Sequence, residues 1–446
     1  MGKRTDISLL EQRPPAPPSA LSPGDLRRLA QAATAPNPPP NPPPSRPHAR
    51  SLYIHVPFCA HKCHYCDFYS IVDTRDRQAA FSDRLARELA AWSPLAAGAP
   101  LRTIFVGGGT PSLLRVDLWQ AVLAALDRHY DLSDIRAGAG EFTVECNPES
   151  VTTELLDTLA AAGVNRISMG AQSFNPSHLR TLERLHKPER VAAALDLIRR
   201  AGIPRSSIDL IYAIPGQTLA DFQRDLDAAI ALSTDHLSCY NLTYEPQTAM
   251  TARLARGEFT PADEDTEIDM FREATSRLER AGLARYEISN YARPGSESRH
   301  NLAYWRQEQW IACGPSAAAH ITLADGPHRW KNTPRLDDYL AHDDHGFTTA
   351  QDHEPPDPRR ALVERIMTGL RLREGLHADT ILAAAASLDP HAPARLSLRV
   401  EHAVAHGHID ADKANPPVGT PPRWCLTDAG MLVHNAIARS LTRVLG

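Results

Sequence analysis

Three cysteines stand close together in the segment CAHKCHYC, where their side chains could bind a metal centre. Cys59, Cys63 and Cys66 have the spacing C-x3-C-x2-C and follow the apolar run SLYIHV at 51–56. Thiolates are preferred ligands of zinc and of iron–sulfur clusters. The pattern therefore predicts a metal centre in the loop that follows a β-strand.

Two kinds of metal centre fit these thiols. A structural zinc needs four protein ligands, and a nearby histidine would supply the fourth: His55, His61 or His64. A 4Fe–4S cluster held by three cysteines keeps one iron open to a ligand from outside the protein. The triad alone leaves this choice open.

Further polar and glycine residues follow later apolar runs of the chain. FVGGGTPS at 105–112 lets backbone amides approach a polar ligand, but it lacks the Lys-Ser/Thr ending of a nucleoside triphosphate loop. Glu145, Gln172 and Asp209 lie at or near the ends of three more such runs. Because the carboxyl ends of parallel strands meet at one mouth, these residues should lie together with the cysteine loop.

The elements that position these residues alternate along the chain. Strands are predicted at 51–56, 103–107, 142–146, 166–170, 208–212 and 237–242. Amphipathic helices are predicted between them at 76–92, 118–130, 153–163, 191–202 and 219–232. Successive β–α units imply a parallel sheet, and six units are fewer than the eight of a closed barrel. We therefore expect an α/β fold with a partial barrel or an open sheet.

The ends of the chain differ from this central part. Residues 1–49 contain 13 of the 37 prolines and are predicted to be a disordered tail. The barrel should cover 50–285, and the segment that contains HNLAYW should pack on it at 286–345; the region of about 243–340 is rich in Tyr, Trp, Asn and His. Beyond a polar linker within 342–360, helices at 363–372 and 427–445 predict a helical or winged-helix domain at 346–446.

Composition limits the classes of function. Seven cysteines in 446 residues are too few for a disulfide scaffold, and the net charge of −5 argues against a broad nucleic-acid surface. No apolar run is long enough to span a bilayer, and the N-terminus lacks the apolar core of a secretory signal. We expect a cytoplasmic protein, in which free thiols remain available as ligands.

The order of the motifs resembles the radical S-adenosylmethionine (SAM) superfamily. After the triad come GGGTP, ECNP, MGAQSF, DLIYAIPGQT and YNLTYEP, and the similarity covers 51–446. Within the superfamily, the chain is similar to the group of oxygen-independent coproporphyrinogen III dehydrogenases and heme chaperones. The resemblance implies a partial (β/α)6 TIM-like barrel of the radical SAM type, with a C-terminal α-rich, winged-helix-like domain.

The resemblance also implies cofactors and their ligands. Cys59, Cys63 and Cys66 would hold a 4Fe–4S cluster, and SAM would chelate its open iron. The cluster would then cleave SAM to methionine and a 5′-deoxyadenosyl radical. The residues implied to contact SAM are Tyr53, Tyr65, Gly108, Gly109, Thr110, Glu145, Gln172, Arg184 and Asp209.

Two positions favour the heme chaperones over the dehydrogenases. Dehydrogenases carry a further cysteine two residues after the third cluster cysteine, and here that residue is Phe68. RHNLAYW at 299–305 matches the HNxxYW signature of the chaperones, which makes His300 a candidate axial heme ligand beside Tyr304 and Trp305. Ser298 occupies the place of a cysteine often found before that signature.

This prediction extends to cargo and partners. Cys313 and His320 are secondary candidates for heme ligation. The expected partners are heme and heme-accepting respiratory or membrane enzymes, reached by docking at the membrane surface without insertion. Coproporphyrinogen dehydrogenase activity is the enzymatic alternative, and a homodimer is left open.

Overall fold

Six parallel strands in chain order form the centre of a larger sheet. The computed structural model describes residues 48–323, 325–341, 350–417 and 419–446, so nearly all of the predicted tail lies outside the described residues. The parallel strands are β1 (Ser51–Val56), β2 (Thr103–Gly108), β3 (Glu141–Cys146), β4 (Arg166–Gln172), β5 (Arg205–Tyr212) and β6 (His236–Asn241). Each pairs with the next, which confirms the predicted partial barrel.

Helices connect these strands close to the predicted positions. They are α1 (Gln78–Trp92), α2 (Val116–His129), α3 (Ser133–Arg136), α4 (Thr153–Ala161), α5 (Pro176–Thr181), α6 (Pro188–Arg200) and α7 (Leu219–Ala231). Helix α1 shows why the pattern predicts them, because Phe81, Leu85 and Leu89 recur every fourth residue and are all fully buried. After α4 and α6, Gly163 and Gly202 adopt positive φ, as expected of glycines that end helices.

The sheet continues on both sides of the barrel strands. Two antiparallel strands follow β6 at one edge: β7 (Ala284–Arg285) and β8 (Asn290–Ala292). At the other edge lie β9 (Trp310–Cys313), β10 (Ala318–Leu323), β11 (Gly326–Asn332) and β12 (Ala350–Glu354). The sequence predicts this region only as a packed segment, because its short strands mix polar and apolar residues and show no clear hydrophobic period.

Four helices accompany these outer strands. They are α8 (Ala249–Ala255), α9 (Glu264–Arg280), α10 (Arg299–Trp305) and α11 (Leu336–Ala341). Helix α10 contains the HNLAYW sequence. Its N-cap is Ser298, whose side chain accepts a hydrogen bond from the Asn301 amide.

The C-terminal region is mainly helical. Its elements are α12 (Pro358–Gly369), β13 (Leu376–His377), α13 (Ala378–Leu388), α14 (Ala392–Ala405), α15 (Ala411–Ala414), β14 (Arg423–Trp424), α16 (Asp428–Leu432) and α17 (His434–Thr442). The two strands pair antiparallel beside the helices, in line with a winged-helix-like domain. The single helix predicted at 427–445 is wrong, because Val433 leaves helical geometry and separates α16 from α17. Strand β12 belongs to the large sheet, which argues for moving the proposed domain boundary from 346 to after Glu354.

Candidate functional site

The three cysteines lie in the loop after β1, on the mouth formed by the carboxyl ends of the strands. All three are free thiols and partly exposed. The loop is held by the Cys59 amide, which donates to the Ile71 carbonyl at 2.8 Å, and by the Cys66 amide, which donates to the Cys63 carbonyl at 3.2 Å. Burial raises the pKa of Cys59 and raises that of Cys66 to about 11, so these thiols ionise only with help from a positive charge.

Two of the three histidines proposed as a fourth zinc ligand have hydrogen-bond partners, whereas the buried Nε2 of His61 has none among the described residues. His55 is buried, with Nε2 at 2.8 Å from the Tyr69 carbonyl, and His64 Nδ1 lies 3.1 Å from Arg253. His61 lies 3.6 Å from Glu183. Within the described ranges, no three His, Cys, Asp or Glu side chains are grouped to hold one metal ion. A 4Fe–4S cluster needs no such group, because its thiolates each bind a different iron.

The glycine-rich segment lies directly against the cysteine loop. The Gly109 amide donates to the Val56 carbonyl at 2.8 Å, and the Thr110 amide donates to the Phe58 carbonyl at 2.7 Å. A Cβ atom on Gly109 would lie 2.7 Å from the same Phe58 oxygen. Gly108 has a φ of +109°, and a Cβ there would lie 2.5 Å from the His55 ring. Only glycine therefore fits this cradle, as the sequence predicts for a close approach of backbone to ligand.

Two carboxylates face the mouth beside the cradle. Glu145 Oε2 accepts from the Gly108 amide at 3.2 Å, and Asp209 accepts from the Ser168 hydroxyl at 3.3 Å. Burial and the nearby Asp209 raise the pKa of Glu145 to about 8, and burial raises the pKa of Asp209. Paired carboxylates suit a positively charged ligand.

Arg184 links the cysteine loop to the neighbouring strand. Its guanidinium donates to the Gly170 carbonyl at 2.7 Å and lies 3.7 Å from the Cys63 sulfur. Its Nε is buried and has no hydrogen-bond partner among the described residues. Gln172 lies next to it on a β4 bulge with a φ of +64°. A buried donor without a partner indicates that a ligand group belongs here.

Two tyrosines complete the mouth. Tyr65, between the second and third cysteines, packs against the small apolar cluster that includes Leu182 and Ile211. The Tyr53 hydroxyl lies 3.0 Å from His55 Nδ1, and its ring stacks on Phe105. Every residue that the resemblance implied for the cluster and for SAM thus lies at or beside one mouth. Sequence analysis missed Ser168, although its position two residues before Gly170 places it on the inner face of β4.

Comparisons with known proteins agree with this geometry. A family model described as "Radical SAM superfamily" matches residues 53–229. The heme chaperone HemW of Mycobacterium tuberculosis H37Rv is 35% identical over 394 residues, which cover 87% of this chain and 94% of that protein. HemW of Escherichia coli K12 is 38% identical over 62% of this chain and 71% of that protein. The chain belongs to the HemW family of radical SAM proteins.

A solved structure supports the fold of this HemW family member. The coproporphyrinogen III oxidase HemN of Escherichia coli superposes with a TM-score of 0.73 over 92% of both chains, at 23% identity. At this level of identity the likeness shows the fold alone.

Membership in the radical SAM superfamily implies a 4Fe–4S cluster and SAM, and the residues present fit both. Cys59, Cys63 and Cys66 would hold the cluster. The unpartnered Arg184 Nε, the glycine cradle and the two carboxylates match the carboxylate, ammonium and sulfonium groups of SAM. When bound, the cluster supplies an electron to the sulfonium, and the chain's own residues orient the cofactor and exclude water.

Glu145 should make SAM binding depend on pH. Because its pKa is raised to about 8, this carboxyl is neutral at lower pH and becomes an anion that attracts the cationic cofactor above it. We expect SAM affinity of the reconstituted protein to rise about three- to tenfold between about pH 7 and about pH 9, measured by calorimetry. The amino group of SAM titrates in the same pH range, so Glu145→Gln is the matched control. In this variant the rise of SAM affinity with pH should be much smaller. An equal rise would contradict the prediction.

The first heme candidate of this HemW family member lies close to the residues of the mouth, because the ring centroids of His300 and Tyr53 are 6.5 Å apart. His300 on α10 is fully buried, with Nδ1 at 2.8 Å from the Thr103 hydroxyl and its ring stacked on Phe105. Burial lowers its pKa to about 3, and its Nε2 has no partner within the described part of the chain. Tyr304 packs edge-on against the His300 ring, and Arg371 stacks on Trp305. The structure thus brings the three candidates together but encloses His300.

The secondary heme candidates are also enclosed. Cys313 lies on β9 and is fully buried, and burial raises the pKa of its thiol well above the usual range. His320 on β10 is 6% exposed, with Nδ1 at 3.1 Å from the Glu308 carbonyl. Cys313 is thus cut off from the surface, whereas His320 lines a cleft of about 280 Å³.

Proposed function

We propose that the chain is a heme chaperone that binds heme and passes it to heme-requiring enzymes. The observation that carries the proposal is Phe68, which follows the cluster cysteines where the dehydrogenases have a further cysteine. Its ring is 64% exposed, and Val72 and Leu185 are also exposed on segments beside the cysteine loop. An exposed apolar rim suits the flat face of a porphyrin. The relatives named as heme chaperones support the same function.

Delivery to respiratory enzymes at a membrane would proceed by docking. No helix in the described residues is both long and apolar enough to cross a bilayer. On the family resemblance alone, we propose that the heme acceptors are respiratory or membrane enzymes. The same resemblance supports a cytoplasmic location with peripheral contact at the membrane, and it leaves a homodimer open. His300 belongs to the proposal as an axial ligand of a state in which α10 has left the barrel.

Parallel assays on one reconstituted sample test this function. Under anaerobic, reducing conditions the protein should bind heme at about one molecule per chain or more, seen as a Soret band, and should convert no coproporphyrinogen III. Phe68→Cys is the matched variant, because it removes the exposed ring and introduces the dehydrogenase-like residue; it should weaken heme binding, while coproporphyrinogen III conversion stays absent. Conversion of coproporphyrinogen by the natural sequence, or failure to bind heme, would overturn the proposal.

A further inference from the structure

Gln172, one of the residues implied to contact SAM, stands at a strained turn of the backbone. Its φ is +64°, and the Ser173 amide donates back to the Ala171 carbonyl at 2.8 Å. A positive φ is unfavourable for a residue with a side chain, and it persists only where the surrounding structure fixes the backbone. The turn therefore needs support from outside β4.

The turn brings the Gln172 side chain back over Gly170. A Cβ built on Gly170 would lie 2.7 Å from the Gln172 amide nitrogen and 3.3 Å from Arg184 Nη2. In an extended strand, residues two apart are separated by roughly 6.6 Å, so regular β geometry would not place this amide there. The turn thus sets the amide beside Arg184, whose buried Nε has no partner among the described residues.

One buried carboxylate holds the residues that follow this turn. Asp225 lies on α7, is 2% exposed, and accepts from the buried Ser173 hydroxyl and from the Phe174 amide, both at 2.7 Å. The Ser173 oxygen in turn accepts from the Asn175 amide at 3.0 Å. These bonds fix the direction in which the chain leaves β4, and so they fix the turn at Gln172.

The same carboxylate reaches the end of β5. Asp225 Oδ2 accepts from the Gln217 side-chain amide at 3.4 Å, and the Gln217 side-chain oxygen accepts from the Ile214 amide at 3.2 Å. Ile214 follows Ala213, which is a second residue with a positive φ, of +61°. The N-cap of α7 is Thr218, so these bonds serve the two strand ends and not the helix terminus.

We infer that Asp225 is a positioning residue of the SAM site, which acts by holding Gln172 in the turn that faces the cofactor. The inference goes beyond the proposed heme function and rests only on SAM binding at this mouth, which membership in the superfamily implies. Without the carboxylate, fewer molecules hold Gln172 in the binding orientation, and the apparent SAM affinity falls by that fraction.

A double-mutant cycle on SAM affinity of the full-length reconstituted protein tests the inference. Asp225→Asn keeps the shape of the side chain but replaces one acceptor oxygen with a donor, and it should weaken SAM binding about tenfold. In the Gln172→Ala background the same change should weaken binding less than about twofold, because its effect passes through Gln172. Asp227→Asn is the matched control, since Asp227 is an exposed carboxylate of the same helix that pairs with Arg277. It should bind SAM as the natural sequence does.

The outcomes separate positioning from a general loss of structure. Equal SAM affinity of folded Asp225→Asn and the natural sequence overturns the inference, and so does an equal loss in both backgrounds. If far-UV circular dichroism shows that Asp225→Asn does not fold, Ser173→Ala decides, because it removes one donor to the carboxylate. Weaker SAM binding in that variant supports the inference, and unchanged binding overturns it. A natural sequence that binds heme but no SAM overturns this inference alone.

Discussion

Replacing Cys63 with serine is expected to abolish the iron–sulfur cluster. The three thiols are the proposed protein ligands of the 4Fe–4S cluster. Loss of one leaves two of its four irons without a protein ligand. After anaerobic reconstitution, iron content should fall from about four atoms per chain to below one, with loss of the visible cluster absorbance. Cys59→Ser and Cys66→Ser should give the same result.

Cys425→Ser is the matched control for this change. Cys425 is also a free thiol, 1% exposed, but its sulfur donates to the Glu374 carbonyl at 3.1 Å in the C-terminal region. Iron content in this variant should match the natural sequence. A full cluster in Cys63→Ser, or zinc in place of iron in the natural protein, would contradict the assignment of the triad.

Replacing Glu141 with alanine should destabilise the protein more than any other substitution considered. Glu141 is fully buried and lies 3.9 Å from both Arg166 and Arg205. Its two oxygens also accept from the backbone amides of Arg299 and His300, at 3.1 and 3.2 Å, and so hold helix α10 on the barrel. Removal leaves the two amides without their acceptor and leaves buried Arg166 with Asp209 as a counter-charge, which together costs about 3–5 kcal/mol of the free energy of unfolding.

Urea unfolding of the reconstituted protein measures this loss. Glu154→Ala is the control, because Glu154 is an exposed residue near the start of α4, and it should change stability by less than about 0.5 kcal/mol. A change below about 1 kcal/mol in Glu141→Ala would show that the arginines and α10 do not depend on this carboxylate. Because α10 carries His300, the same variant should also expose that histidine, which histidine-selective modification would detect.

Much of the barrel could be predicted from the sequence because its signals are local. The apolar run at 51–56 coincides with β1, and β6 differs from its predicted bounds by one residue at each end. The spacing of apolar residues that marks a strand or a helix shows within a few residues. The carboxyl ends of neighbouring parallel strands lie at the same edge of the sheet. Cys59, Cys63, Cys66, Glu145 and Asp209 therefore fell on one mouth as predicted.

The outer strands and the break at Val433 had no comparable local signal. Strands β9 to β12 depend on pairing with β1 and with one another, and such pairing involves residues far apart in the chain. The helical period runs through Val433 without interruption, yet the helix breaks there, and His434 bonds to the distant Met367 carbonyl. Tertiary contacts of this kind override local preference.

The sequence by itself determined the position of the three thiols, the glycine cradle and the order of the barrel strands, because each depends on residue type and short spacing. Only the tertiary structure decided which histidines are accessible. His300 belongs to a signature that predicts heme ligation. It is nevertheless held inside the barrel, because its amide donates to buried Glu141 and its ring bonds to the Thr103 hydroxyl. His402 carries no such signature, yet it lies exposed on the last turn of α14. Burial is set by neighbours distant in sequence, and spacing alone does not encode it.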